Sequence, residues 1–160
     1  GDYQGKELTV VAVLHGGIVF LADLLRRIHL PLMVETINVA SYHGGLHSSG
    51  NVQFKQVNLP DLRGKHILLL DDILDTGRTL DAIGQRIGEE CLPESVKNCV
   101  FLEKQIPRSI EVQADYVGFE IADEFVVGYG LDYQGRYRNL PLVGTLRKDL
   151  VTHTMEGERN

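Results

Sequence analysis

The sequence predicts an α/β protein with a mainly parallel, twisted sheet that is flanked by helices. The alternation of two kinds of segment supports this fold class. Short apolar runs of strand type alternate along the chain with segments whose apolar residues recur at helical spacing. A strand, a helix and a second strand in succession form a right-handed crossover, which makes the two strands parallel. The 160 residues have the length of one domain, so a single domain over residues 1–160 is expected.

The first strand, the first helix and the second strand follow each other closely. Leu8–Leu14 is apolar and rich in valine, which is typical of a strand. Val19–Ile28 carries apolar residues at helical spacing and ends in Arg26 and Arg27, whose charges suit the carboxyl end of a helix. Val34–Ala40 is predicted as the second strand.

The same alternation continues in the rest of the chain. The apolar run "ILLL" predicts a strand over His66–Leu70 that is buried on both faces. A helix is predicted over Leu80–Ile87. Three more strands are expected beyond it, at Val96–Leu102, Tyr116–Ile121 and Leu142–Leu146.

The stretch Ser41–Gly50, "SYHGGLHSSG", separates the second and third predicted strands. It is too polar and too rich in glycine for a helix or a strand, so we expect a mobile loop there. A loop of this kind suits a lid that closes over a site and excludes water.

The composition argues against several classes of protein. Contents of 43% hydrophobic and 24% charged residues are ordinary for a soluble globular protein. No apolar run approaches the roughly 18 residues of a membrane span. The net charge of −6, without a basic block, weighs against nucleic-acid binding. Cys91 and Cys99 lack the spacing of paired metal ligands and make no disulfide framework, so a cytoplasmic protein is expected. From the apolar runs and the net charge, neither a membrane nor a nucleic acid is expected as a partner.

The most informative stretch is "ILLLDDILDTGRT", residues 67–79. Its apolar run ends in two adjacent carboxylates, Asp71 and Asp72. Ligands of open parallel sheets bind beyond the carboxyl ends of the strands, and burial of an unpaired carboxylate is costly. The two acids therefore indicate a ligand rich in hydroxyl groups, a divalent cation with oxygen ligands, or both.

The turn that follows the acids suits an anion. From Asp75 to Thr79 it places small residues, a glycine and backbone N–H groups at the start of the predicted helix, with hydroxyl groups from Thr76 and Thr79. Such a turn binds phosphate, so a sugar phosphate fits the whole stretch. The structural alternative is that Asp75 or Thr76 only caps the helix. No G-x-x-x-x-G-K-[ST] loop occurs in the sequence, which argues against an NTPase.

Residues 67–79 resemble the phosphoribosyl-pyrophosphate (PRPP) signature of the type I phosphoribosyltransferases. Other stretches resemble the hypoxanthine-guanine phosphoribosyltransferases and follow that family's order: "VVAVLHGG" (10–17), "SYHGG" (41–45), "EKQIPRS" (103–109), "ADYVGFEIADEFVVGYGLDY" (114–133) and "YRNLP" (137–141). The resemblance implies the type I fold, with a small hood over the carboxyl ends of the strands. The helical residues that relatives usually carry before the first strand are expected to be absent.

On the PRPP side, the resemblance implies that Asp71 and Asp72 hold the ribose hydroxyls and an associated Mg²⁺. The 5′-phosphate would lie in the turn of Asp75, Thr76, Gly77, Arg78 and Thr79. The pyrophosphate would meet Arg108 and the turn of Leu14, His15, Gly16 and Gly17. In that turn the family often has a cis peptide, here Leu14–His15, and His15 stands where many relatives carry lysine. Ser41 and Tyr42 match the anchor of the family's lid.

On the purine side, the resemblance makes Asp75 the general base that accepts the N7 proton. Lys104 would donate to the purine O6, Tyr116 would stack on the ring and Val117 would contact its edge. Asp123 would bind a second Mg²⁺. Considered singly, these residues have ordinary explanations, such as a solvated lysine, a core tyrosine and a turn aspartate.

The activity implied by the resemblance is transfer of the 5-phosphoribosyl group from PRPP to N9 of hypoxanthine or guanine, in purine salvage. The products would be IMP or GMP and pyrophosphate, the cofactor Mg²⁺, and the assembly a homodimer or homotetramer. Two alternatives stay open. A regulator of the same fold would sense PRPP and bind nucleic acid, with a decayed base pocket and a basic face. An enzyme of the same fold would act on another base, such as xanthine or a pyrimidine.

Overall fold

A computed structural model of the chain describes residues 1–40, 53–55, 59–108 and 110–147. The predicted lid, Ser41–Gly50, lies outside these ranges. The elements in chain order are β1 (Leu8–Leu14), α1 (Ile18–Leu25), β2 (Leu32–Ala40), β3 (Gln53–Phe54), β4 (His66–Leu74), α2 (Arg78–Cys91), β5 (Ser95–Lys104), β6 (Tyr116–Ile121), β7 (Val126–Val127) and β8 (Gly144–Thr145).

Within the described residues, β1 to β6 form one sheet in the order β3-β2-β1-β4-β5-β6. Every neighbouring pair is parallel except β2 and β3, which are antiparallel. The chain adds β2 on one side of β1 and β4 on the other, so the winding direction reverses between β1 and β4. Such a switch point leaves a crevice at the carboxyl ends of the two strands, and ligands bind there. The predicted fold class is confirmed.

The sheet is covered on both faces, as predicted. Alternate residues of each strand point to opposite faces, and the two sets belong to two separate apolar clusters. The first cluster joins Val11, Ile67 and Leu69 to Leu80, Ile83 and Ile87 of α2. The second joins Val10, Leu68 and Leu70 to Leu21 of α1. Packing on both faces fixes the position of each strand end. These strand ends form the floor of the crevice.

The strand that carries the acids is longer than predicted. β4 does not end at Leu70 but continues to Leu74. Its pairing with β1 stops at Leu70, opposite Ala12, whereas its pairing with β5 continues as far as Leu74, opposite Glu103. Asp71 and Asp72 therefore lie where β4 no longer pairs with β1 but still pairs with β5.

A small hood covers this end of the sheet, as expected. Its antiparallel strands, β7 and β8, pair Val126 with Thr145 and Val127 with Gly144. The predicted strand over Leu142–Leu146 is thus only two residues long, and it belongs to the hood. None of the described helices has the length and apolar character needed to cross a membrane.

Candidate active site

A cavity of about 610 Å³ opens at the carboxyl ends of β1, β2, β4 and β5, under the hood. Its lining includes the turn after β1, the acid pair of β4, the turn before α2 and the end of β5. From the hood and the segment before it come Glu124, Phe125, Val126, Leu131, Asp132, Tyr133, Gln134 and Arg138. The cavity therefore brings together stretches that are up to 125 residues apart in the chain (from 13 to 138).

The two acids of β4 form the buried floor of the cavity. Asp71 is 5% exposed, and its Oδ1 accepts the backbone N–H of Asp72 at 2.9 Å. Asp72 accepts the backbone N–H of Ile73 in the same way. Burial, followed by the neighbouring carboxylate, raises the pKa of Asp71 well above its ordinary value. Burial also raises the pKa of Asp72, against the effect of these hydrogen bonds.

The turn after β1 lies directly against the acids. A Cβ atom on Gly16 would be 1.7 Å from Oδ2 of Asp72, so a side chain at this position would require the Asp72 carboxylate to move. On the other side, the hood residue Gly130 has a φ of +103°, and a Cβ there would be 2.1 Å from the carbonyl oxygen of Gly16. The Leu14–His15 peptide is cis, as expected. Backbone atoms of the turn are thus held between the carboxylates and the hood.

The turn before α2 exposes backbone donors. Its N-cap is Gly77, with a φ of +83°, and within the described residues no side chain caps the helix. The alternative that Asp75 or Thr76 acts only as a cap is therefore not supported. The first N–H groups of a helix that lack a cap, together with the helix dipole, suit a phosphate.

Lys104 lies at the other end of the cavity and bridges two carboxylates. Its Nζ is 3.2 Å from Oδ2 of Asp75 and 3.0 Å from Oδ1 of Asp123. Burial opposes the charge of Lys104 and is the largest single effect on its pKa. The hydrogen bond to Asp123 and the charge of Asp75 together outweigh it and raise the pKa. The ammonium group is therefore kept charged and is held beside Asp75.

The structure does not bring Tyr116 and Val117, the predicted purine contacts, to the cavity. Both lie at the amino end of β6, where Tyr116 pairs with Cys99 and its hydroxyl donates to Asp2. Five residues of strand, about 16 Å, separate Tyr116 from Ile121 at the carboxyl end. Neither residue lines the cavity. The aromatic ring and strand edge that do line it are Phe125 and Val126, nine residues later in the same quoted stretch.

Two other predictions also need correction. Arg108 does not line the cavity, because its guanidinium is held by the carbonyl oxygens of Asp75 and Lys104 and by the carboxylate of Glu103. The carboxylate of Asp123 is largely exposed and is ion-paired with Lys104, outside the lining, so it is not placed as a ligand of a second Mg²⁺.

The cavity residues that the sequence analysis missed include Asp132 and Arg138. Nη2 of Arg138 is 2.7 Å from Oδ1 of Asp132, and Nη1 donates to the carbonyl oxygen of Gly130 at 2.7 Å. Both lie in quoted stretches, "GYGLDY" and "YRNLP". The glycines around Tyr129 were the available signal, since positive φ at Gly128 and Gly130 marks a tight return of the chain toward the strand ends.

The donor set fits a magnesium ion that is shared with a ligand. Among the described residues, no group of three or more His, Cys, Asp and Glu side chains is placed to hold a metal. Two adjacent buried carboxylates with raised pKa nevertheless favour a nearby cation. Mg²⁺ is commonly held by one or two protein carboxylates, with water and ligand oxygens completing its shell. Asp71 and Asp72 meet that requirement without a third protein ligand.

Comparison with known proteins gives a consistent result. Residues 1–134 match the model of the phosphoribosyl transferase domain. The hypoxanthine-guanine phosphoribosyltransferase of Streptococcus pneumoniae is 42% identical over 152 residues, which cover 95% of this chain and 84% of that protein. A hypoxanthine phosphoribosyltransferase structure from Staphylococcus aureus superposes with a TM-score of 0.85 at 42% identity, covering 93% of this chain and 80% of that one. One from Trypanosoma cruzi, complexed with the product IMP, has a TM-score of 0.85 at 34% identity, with 96% and 83% covered.

The buried acid pair leads to a prediction about stability. Asp71→Asn is expected to raise the free energy of unfolding of the metal-free protein at neutral pH by about 1–3 kcal/mol, because a buried charge is removed. A raised pKa in the folded state favours folding at low pH, and this contribution is lost as the pH rises from the ordinary value of 3.8 through the raised value. The stability gain from Asp71→Asn should therefore grow over that range. Urea unfolding in EDTA at several pH values measures it.

The exposed Glu111 provides the matched control, and Glu111→Gln should leave the free energy of unfolding unchanged within about 0.5 kcal/mol. If Asp71→Asn is less stable than the wild type at neutral pH in EDTA, the folded protein stabilises the Asp71 carboxylate and the predicted cost of its burial is wrong.

Proposed function

Since this chain belongs to the hypoxanthine-guanine phosphoribosyltransferases, we propose that it transfers the 5-phosphoribosyl group of PRPP to N9 of hypoxanthine or guanine. The products are IMP or GMP and pyrophosphate, and the role is purine salvage. The observation that carries the proposal is a single cavity that combines a buried acid pair, an uncapped helix start and a charged lysine. These three features match the hydroxyls, the phosphate and the base of one nucleotide.

Each part of the substrate has a matching part of the cavity. The ribose hydroxyls face Asp71 and Asp72, and the 5′-phosphate lies in the turn from Asp75 to Thr79 with the N–H groups of α2. The pyrophosphate meets the Leu14–Gly17 turn and Arg138, which replaces Arg108 in this role because it lines the cavity.

The purine lies at the Lys104 end of the cavity. Lys104 donates to O6, and Phe125 provides the aromatic face that was expected from Tyr116. Lys104 cannot satisfy the amino group of adenine in the same way, because two donors would then face each other. This arrangement supports recognition of 6-oxopurines.

The chemical step moves one proton to the protein. As the bond from N9 to C1′ forms, the bond from C1′ to the pyrophosphate oxygen breaks, and Asp75 accepts the N7 proton of the purine. Lys104, at 3.2 Å from Asp75, favours the carboxylate form that can act as a base. Asp71 and Asp72 would hold a Mg²⁺ ion, which would supply positive charge that stabilises the departing pyrophosphate.

The remaining expectations stay predictions. They are the homodimer or homotetramer, the cytoplasmic location, the 41–50 lid with Ser41 and Tyr42, and a PRPP-sensing or xanthine-specific alternative. The presence of Lys104 in the cavity favours the enzyme over a regulator with a decayed base pocket.

A panel of bases tests the proposed activity. With PRPP and Mg²⁺, the protein is expected to convert hypoxanthine or guanine to its mononucleotide and to use adenine at less than about one tenth of that rate. EDTA should stop the reaction. Product formation is followed by liquid chromatography. Faster transfer to xanthine or a pyrimidine would identify the other enzyme, and PRPP binding without transfer to any base would favour the regulator.

The role of Asp75 is tested by Asp75→Asn. We expect kcat to fall by roughly 10²-fold or more, while KM for PRPP stays similar, because the variant loses a proton acceptor but no charge contact to the sugar. Asp123→Asn is the matched control, since it removes the other carboxylate from Lys104 without touching the cavity, and its kcat should fall far less. An unchanged kcat in Asp75→Asn, or equal losses in both variants, would exclude the base role.

The corrected aromatic contact is tested by two equivalent substitutions. Phe125→Leu is expected to raise KM for the purine by about tenfold, since stacking of a base on an aromatic ring contributes about 1–3 kcal/mol. Tyr116→Leu should leave this KM near the wild-type value. Steady-state kinetics with hypoxanthine measures both, and the reverse pattern would restore the original assignment to Tyr116.

A further inference from the structure

We infer that Lys55, which follows β3, is a binding residue for the diphosphate group of the substrate and product. The inference rests on the proposed function and adds a specific cation to it. Lys55 lines the cavity but has no recognisable motif in the sequence, and no resemblance of the quoted stretches points to it.

The charge of the cavity creates the need for such a residue. The lining carries five acidic side chains, Asp71, Asp72, Asp75, Glu124 and Asp132, and three side chains that are permanently cationic, Lys55, Lys104 and Arg138. A ligand with a phosphate and a diphosphate adds further negative charge. Like charges at short range repel strongly in a partly buried site, so a ligand of this charge requires a cation in the lining that is not already neutralised.

Two of these three cations already have carboxylate partners. Lys104 is paired with Asp75 and Asp123, and Arg138 is paired with Asp132. Among the described residues, Lys55 forms no ion pair with a carboxylate, and it is exposed toward the cavity. The turn after β1 carries no permanently charged side chain, because its residues are leucine, histidine and two glycines. Lys55 is thus the cation of the described lining whose charge is not already neutralised.

Strand register places Lys55 on the diphosphate side. The backbone N–H of Lys55 donates to the carbonyl oxygen of Asn38 at 3.0 Å, and Asn38 pairs with Leu14 at the end of β1. The three residues therefore lie in one row across three adjacent chain segments. With about 4.8 Å between neighbouring strands, the backbones of Lys55 and Leu14 are about 10 Å apart, a distance that a lysine side chain and a bound phosphate oxygen together span.

The opposite end of the cavity is too far away for Lys55 to serve the base. Lys104 ends β5, and the sheet order puts β2, β1 and β4 between β3 and β5. A single lysine cannot contact ligands at both ends. The ammonium group of Lys55 therefore faces the diphosphate held by the Leu14–Gly17 turn, and its removal should affect the two diphosphate-bearing ligands and not the purine.

Kinetics in both directions tests this assignment. Lys55→Ala is expected to raise KM for PRPP and, in the reverse reaction, KM for pyrophosphate by about tenfold each, the effect of one charge-assisted hydrogen bond. KM for hypoxanthine should change by less than about twofold, and the thermal unfolding midpoint should stay constant. Lys55→Arg keeps the charge and should restore most of the affinity for pyrophosphate. Higher salt should narrow the difference between wild type and Lys55→Ala.

The matched control is Lys6→Ala, which removes the same charge from an exposed lysine before β1, at the amino end of the sheet. Both KM values should stay near those of the wild type. Equal KM values for Lys55→Ala and Lys6→Ala, in an active wild type, would overturn the inference and leave the proposed function intact.

Calorimetric titration with inorganic pyrophosphate and Mg²⁺ separates the two proposals further. A weaker pyrophosphate affinity in Lys55→Ala supports the role of Lys55 even if the wild type transfers no ribosyl group, an outcome that would overturn the proposed function alone. An unchanged affinity would overturn the role of Lys55.

Discussion

The burial of two adjacent carboxylates where β1 and β4 separate is the constraint on which this structure depends. β4 keeps its hydrogen bonds to β5 beyond Leu70 but loses those to β1. Asp71 and Asp72 occupy the gap, satisfied by backbone N–H groups of the residues that follow them. Such an arrangement costs folding free energy in the absence of a cation. Under the proposed function, a bound cation and the ribose hydroxyls would offset this cost.

The sequence predicted those parts of the molecule that depend on local pattern. The apolar runs of β1 and β4 and the helical spacing of α2 all have a period that can be read directly. The turn before α2 was also predictable, because its glycine, its hydroxyl residues and the start of the helix are contiguous. The carboxyl end of β4 could not be predicted in this way. Charged residues usually end a buried strand, but β4 continues through them because its pairing with β5 continues.

The base side of the cavity could not be derived in the same way. The role proposed for Lys104 depends on its ion pair with Asp75, which is 29 residues earlier in the chain. No local sequence pattern predicts such a contact. The sequence also did not show that Tyr116, the first residue of β6, lies at the end of that strand away from the cavity. The register of β6 against β5 places Tyr116 opposite Cys99 and Ile121 opposite Lys104, which lines the cavity. The sequence likewise did not show that Arg108 is held by Asp75, Glu103 and Lys104, or that Arg138 lines the cavity.

The hood is fastened to the rest of the protein by contacts that the sequence does not reveal. Tyr129 lies between two glycines of positive φ, and its hydroxyl donates to Asp23 of α1. Its ring centroid is 4.7 Å from that of Phe101 on β5. The chain next to it, at Gly130, rests on the carbonyl oxygen of Gly16, which in turn lies against Asp72.

This stack from hood to turn to acid has a thermodynamic consequence. Because Gly16 and Gly130 have no side chains, the hood meets the turn after β1 through backbone atoms, and a shift of the hood would move this turn against Asp72. If a purine bound in the proposed site draws the hood inward, it would change the affinity for the phosphorylated sugar. Linkage requires the sugar to change the affinity for the purine by the same factor. Under the proposed function, the purine and sugar half-sites would therefore be coupled in free energy through the backbone contact between Gly130 and Gly16.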